Sequence, residues 1–137
     1  MKTILSIVLL LTFSIAKEHH LVDFTSANNG LMTASALVGD DVHVKLPENP
    51  TTGFTWHVIQ RSSADEKGLK FDGDKYFKPK SSKDEKPVFG RGGFRMMRFS
   101  AHEAGTYSVE VVKAKGWQLE KYMDDKGFLR TSDLDNI

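Results

Sequence analysis

The chain has 137 residues, with 19 Lys and Arg set against 18 Asp and Glu. That balance leaves no global field to favour nucleic acid or an anionic membrane. It has no cysteine, which excludes disulfides, thiol catalysis and a cysteine-based zinc site, so an exported domain built from it must rest on packing alone.

Lys2 precedes an apolar run from Ile4 to Ile15, interrupted only by Ser6, Thr12 and Ser14, and Ala16 then precedes Lys17 and Glu18. A basic start, a short apolar stretch and a Ser14-x-Ala16 site describe a cleavable secretory signal over residues 1–16, too short for a comfortable membrane span. The expectation is a product that enters the secretory pathway and is secreted or held in the lumen of a vesicle, lysosome or phagosome, with no membrane attachment after cleavage. Residues 17–137 then suit a single domain with one modest core. His19 and His20, close to the new N-terminus, read as a flexible polar pair and not as a ligand set.

Short segments of period two follow. Val42, Val44 and Leu46 alternate with His43 and Lys45 before Pro47. Phe54, Trp56 and Val58 form one face of the next segment, with Thr55 and His57 on the other. Between these strands lies Asn49-Pro50-Thr51-Thr52-Gly53-Phe54. Pro50 fixes its own φ, Asn49 can brace the turn through its side chain, and Gly53 can take φ values closed to other residues, so this loop is built to hold one shape.

Residues Ser62 to Asp74, with Gly68 and Gly73, read as a long polar loop, and the charged, Pro-bounded stretch from Lys78 to Pro87 reads as a surface loop with no assigned partner. Phe94 to Phe99 is rich in aromatics and Met but alternates less clearly, whereas Tyr107 to Val111 alternates cleanly. Trp117 to Lys126, where Leu119, Tyr122 and Met123 fall at helical spacing, is the one helix candidate, over a short span. Phe128 to Leu134 alternates poorly for a terminal strand.

No nucleophile with its base, carboxylate pair or metal site is recognisable, and no cofactor is expected. His43 and His57 fall in polar phases of strands and His102 in a turn, which reads as three solvated histidines. Gly90-Arg91-Gly92-Gly93 lacks the Lys-Ser/Thr and the following helix of a phosphate loop. This leaves binding as the expected activity.

Glu103-Ala104-Gly105-Thr106-Tyr107 resembles the turn of immunoglobulin-like sandwiches in which a Tyr hydroxyl ties a corner to nearby backbone. With several short strands and no internal repeat, the expected fold is an all-β, immunoglobulin-like β-sandwich. Loops after alternate strands gather at one end of such a fold, which groups Asn49 to Phe54, Gly90 to Phe94 and Lys115-Gly116-Trp117.

The stretch from Val38 to Trp56, with Lys75-Tyr76-Phe77, Pro79, Gly90-x-Gly92-Gly93 and Ala104-Gly105-Thr106, resembles the chagasin family of inhibitors of papain-type cysteine peptidases. The Asn-Pro-Thr-Thr-Gly-Phe string is specific to that family, whereas Gly-x-Gly-Gly is common in loops. Members typically carry Arg-Pro-Trp where this chain reads Lys115-Gly116-Trp117, which implies a more mobile third loop and a larger ordering cost on binding.

The resemblance implies a reversible, non-covalent, competitive inhibitor, a monomer that is not an enzyme and whose partner is a papain-like cysteine peptidase. It places Thr51 and Thr52 nearest the catalytic thiolate, with Asn49, Pro50, Gly53 and Phe54 shaping the loop. Gly90, Arg91, Gly92 and Gly93 would lie along the substrate cleft, and Lys115, Gly116 and Trp117 on its other side. Turn hydrogen bonding alone for the threonines, core packing for Trp117 and an immunoglobulin-like recognition or adhesion module with a non-peptidase ligand stand as the alternatives.

Overall fold

A computed structural model describes residues 3–13, 18–25, 30–79 and 92–137. Among these residues, eight strands form two four-stranded sheets. In chain order they are β1 (Thr3–Phe13), β2 (His19–Asp23), β3 (Leu31–Val38), β4 (Asp41–Glu48), β5 (Phe54–Val58), β6 (Leu69–Phe77), β7 (Gly93–Ala101) and β8 (Gly105–Lys115). One sheet has the order β3-β1-β8-β5 and the other β2-β4-β7-β6. The chain is an all-β sandwich, as its short alternating segments predict.

The alternation works because successive side chains on a strand point to opposite faces. Val42, Val44 and Leu46 of β4 meet Trp56, Val58, Met97, Phe99, Tyr107, Val109 and Val111 in one buried core. The turn before β8 behaves as expected, with the Tyr107 hydroxyl directed at the Ala104 carbonyl at 3.5 Å.

Residues 1–16, expected to leave the chain as a secretory signal, include β1. This strand sits in the middle of its sheet, parallel to β3 and antiparallel to β8. Leu5, Ile7, Leu9 and Leu11 are buried in the core while Ile4 and Leu10 are exposed, so an apolar run that reads as a signal also carries a strand's two-faced pattern.

Two readings are corrected. Ser62–Asp74 is not a long loop: Ser62 caps a short helix, α1 (Ser63–Gly68), by accepting the Asp65 N–H at 3.1 Å, and β6 follows directly. Only Leu69 of β6 is fully buried, with Phe71 half-buried against the core, and Gly73 (φ 126°) lies beside a register shift against β7. A strand with polar residues at most other positions and a bulge gives little periodicity to read.

His20 is not a flexible neighbour of His19 either. Its Nε2 lies 2.7 Å from Asp40 Oδ2. The buried Asp40 carboxylate also accepts the Leu37 and Glu18 backbone N–H groups, both at 2.9 Å. These donors, Leu37 foremost, hold its pKa below the usual carboxylate value. They tie the start of β2 to the turn between β3 and β4.

The C-terminal segment is not a strand. It runs through single 3-10 turns at Gly116–Gln118 and Glu120–Tyr122 and a longer one at Thr131–Asn136. Leu119 and Leu129 join Ile59, Val112 and Ala114 in a second, smaller apolar cluster. The stretch from 80 to 87, within the predicted surface loop, lies outside the described residues.

Candidate functional site

The link between β4 and β5 crosses from one sheet to the other, and its shape follows from its sequence. Pro50–Thr52 forms one 3-10 turn capped by Asn49. Asn49 Oδ1 accepts the Thr51 N–H at 3.2 Å and the Thr51 hydroxyl at 2.7 Å. The Thr52 hydroxyl donates to the Asn49 carbonyl at 2.7 Å. Gly53 closes the turn at φ 80°, in the left-handed region that favours glycine. Turn bonding therefore employs both threonine hydroxyls, yet Pro50, Thr51, Thr52 and Gly53 are all exposed. The loop presents a rigid, uncharged tip.

Its stems are fastened below the tip. The fully buried Glu48 carboxylate accepts the Trp56 backbone N–H at 3.2 Å through one oxygen and Arg95 Nε at 2.7 Å through the other. The Trp56 indole donates to the Pro47 carbonyl at 2.7 Å. Arg95 is held in turn by Asp74 at 2.8 Å. Trp56 is a core residue, and Phe54, on the same face, is half-buried with the Lys115 ammonium 5.8 Å from its ring centroid.

Strand register brings the other two loops alongside. Glu48 pairs with Gly93 at the start of β7, and Phe54 pairs with Lys115 at the end of β8. A Cβ on Gly92 would stand 3.2 Å from both the Asn49 side chain and the Glu48 carbonyl, so this backbone rests against the hexapeptide loop. A Cβ on Gly93 would fall 2.0 Å from the Phe77 carbonyl, a clash that fixes glycine there for packing. The Tyr76 hydroxyl accepts the Gly93 N–H at 3.1 Å. Gly90 and Arg91 lie outside the described residues.

On the other flank, the Gly116 N–H donates to the Gly53 carbonyl at 3.3 Å. Proline has no N–H to make this bond, so glycine here gives the third loop a tie to the first. Trp117 is 74% exposed. Core packing is therefore excluded for it, and it stands beside an open groove lined by Leu119, Tyr122 and Ile137.

Asn49 to Phe54, Gly92 with Gly93, and Lys115 to Trp117 thus meet at one end of the sandwich. The arrangement offers a stiff turn, close-approaching backbone and an exposed aromatic ring, features suited to contact with another protein. Glu48, Tyr76 and Arg95 are positioning residues that the sequence reading missed. The buried acid at Glu48 shares the core phase of Val42, Val44 and Leu46, and that phase was the one available signal.

His57 departs from its reading as a solvated residue. It is half-buried, its Nε2 lies 2.6 Å from the Thr55 hydroxyl oxygen, and burial pushes its pKa below the usual imidazole value. Asp74 pulls the other way and Arg95 adds to the depression.

The model of the chagasin family of peptidase inhibitors matches residues 35–128. The chain is 34% identical to chagasin of Trypanosoma cruzi over 95 residues, covering 68% of this chain and 80% of that protein.

Proposed function

The chain belongs to the chagasin family and is a peptidase inhibitor, not an enzyme; from that premise we propose that it blocks papain-type cysteine peptidases reversibly, without covalent chemistry and in competition with substrate. The observation that carries this reading is the convergence of the three loops, with Gly53 bonded to Gly116 and Asn49 packed against Gly92. A papain-type enzyme carries its thiolate in an open cleft, so an inhibitor must cover the sulfur without offering a well-placed peptide bond. The capped turn at Pro50–Thr52 is suited to that, because its helical backbone is unlike an extended substrate.

Thr51 and Thr52 meet the catalytic centre, the glycine loop lies along the substrate cleft, and Trp117 packs on the opposite wall. The inhibitor acts as a monomer. The apolar residues near its N-terminus carry it into the secretory route, where its target is met. Titrating the full chain into a papain-type peptidase tests this: activity falls to zero near equimolar protein while the inhibitor stays intact and substrate protects the enzyme. Full activity at micromolar inhibitor would overturn it.

A further inference from the structure

At the opposite end of β4 from the hexapeptide loop, three side chains with metal-binding atoms share one face of the sheet. In the parallel pairing of β2 with β4, His19 lies opposite Asp41, and His43 follows two residues later on the same face. One ligand atom from each of the three lies within 4.8 Å of the others. His19 Nδ1 is 3.4 Å from Asp41 Oδ2. Donors bound tetrahedrally to zinc at 2.0–2.1 Å stand about 3.3 Å from one another, so one edge of the site already has the right length. The His19 and His43 rings, 5.6 Å apart and tilted by 49°, are not locked in a stack.

The backbone beneath them is fixed. Asp40 binds Glu18, His20 and Leu37, and the Asp41 N–H donates to the Glu18 carbonyl at 3.0 Å. These bonds clamp the residues flanking His19 and Asp41, so adjustment falls on side-chain torsions alone, and His19 is 66% exposed and able to turn.

We propose that His19, Asp41 and His43 form a binding site for a divalent transition metal of the zinc type, with water in the fourth position. Two imidazoles and one carboxylate suit zinc and disfavour calcium or magnesium, which take oxygen ligands. Among the described residues Arg98, opposite His43 on β7 and exposed, is an unfavourable neighbour, adding positive charge beside the cation. Six residue steps along the chain, about 20 Å in extended backbone, separate His43 from Asn49, so the metal braces the β2 edge without entering the inhibitory loops.

The test is calorimetric titration of zinc chloride into the metal-stripped full chain, prepared without a histidine tag. One zinc should bind at micromolar concentration, His43→Ala should weaken it at least about tenfold, and His102→Ala, outside the cluster, should leave it unchanged. Arg98→Gln should tighten it. Cobalt substituted for zinc should give the visible absorption of a low-coordinate site in the wild type, a readout independent of any variant's folding. No uptake by the wild type, equal uptake by the His43→Ala chain, or an octahedral cobalt spectrum would overturn the proposal.

Discussion

Glu48 holds Trp56 across the base of the hexapeptide loop, its Oε1 accepting the Trp56 backbone N–H at 3.2 Å. The residue before the loop thus fixes the direction in which the chain leaves it, and the same carboxylate pairs with Arg95.

Replacing Glu48 by Ala strands the Trp56 amide and leaves Arg95 with Asp74 as its remaining acidic partner. We expect a loss of about 3 kcal/mol, the low end of the cost of removing one member of a buried pair, because Arg95 keeps that second acid. Denaturant unfolding measures it. Glu48→Gln, which can still accept from Trp56, should lose clearly less; equal losses would mean that the bond to Trp56 contributes nothing.

Trp117 and Thr51 separate contact from core. Trp117→Ala should change unfolding free energy by no more than about 0.5 kcal/mol, as for other exposed positions. In peptidase titrations the same change should cost about 2 kcal/mol or more, roughly a thirtyfold loss of affinity. Thr51→Asp should also weaken inhibition, since it places a charge on the uncharged tip. Retained affinity in both variants would remove these two loops from the contact surface.

Gly116→Pro puts back the residue that family members carry there, but in this chain it severs the bond to the Gly53 carbonyl and crowds the Thr55 hydroxyl, which would lie 3.2 Å from a Cβ at 116. We expect inhibition to weaken, by about 1 kcal/mol for a lost backbone bond, despite the stiffer chain. A tighter inhibitor would show that stiffness outweighs the tie between loops.

His57 links stability to pH. Its folded pKa lies below 6.5, chiefly through burial. Between that depressed value and 6.5 the unfolded chain takes up a proton that the folded chain refuses, so stability falls as pH drops through this window. His57→Gln, which keeps a donor for Thr55, should flatten that slope in thermal melts collected on the acid side of neutrality. An unchanged slope would assign the acid sensitivity elsewhere.

The parts of the fold that bury every second residue were legible. Val42 to Leu46 and Tyr107 to Val111 both lie inside observed strands, and the Asn49 turn has the bracing that its side chains suggested. β6 was hidden because Lys70, Asp72 and Asp74 outnumber its core-facing residues and Gly73 breaks the phase. The roles of Tyr76, Arg95 and Gly116 depend on cross-strand register, which one strand's pattern cannot encode. His57 looked solvated because alternation shows which face a residue takes, but not whether another part of the chain covers that face.

The placement of β1 has a consequence for the order of events in the cell. If residues 1–16 serve as the proposed secretory signal, export and folding compete for the same eleven residues: read early, they are an address; read late, they are the keystone of a sheet. A signal peptidase that cuts after Ala16 would take from β3 its only hydrogen-bonded strand neighbour among the described residues and expose one edge of β8. Two molecules could then arise from one gene product, a sealed sandwich and a split one whose open slot invites any extended apolar strand. The moment of cleavage, and not the sequence alone, would decide which of them meets a peptidase.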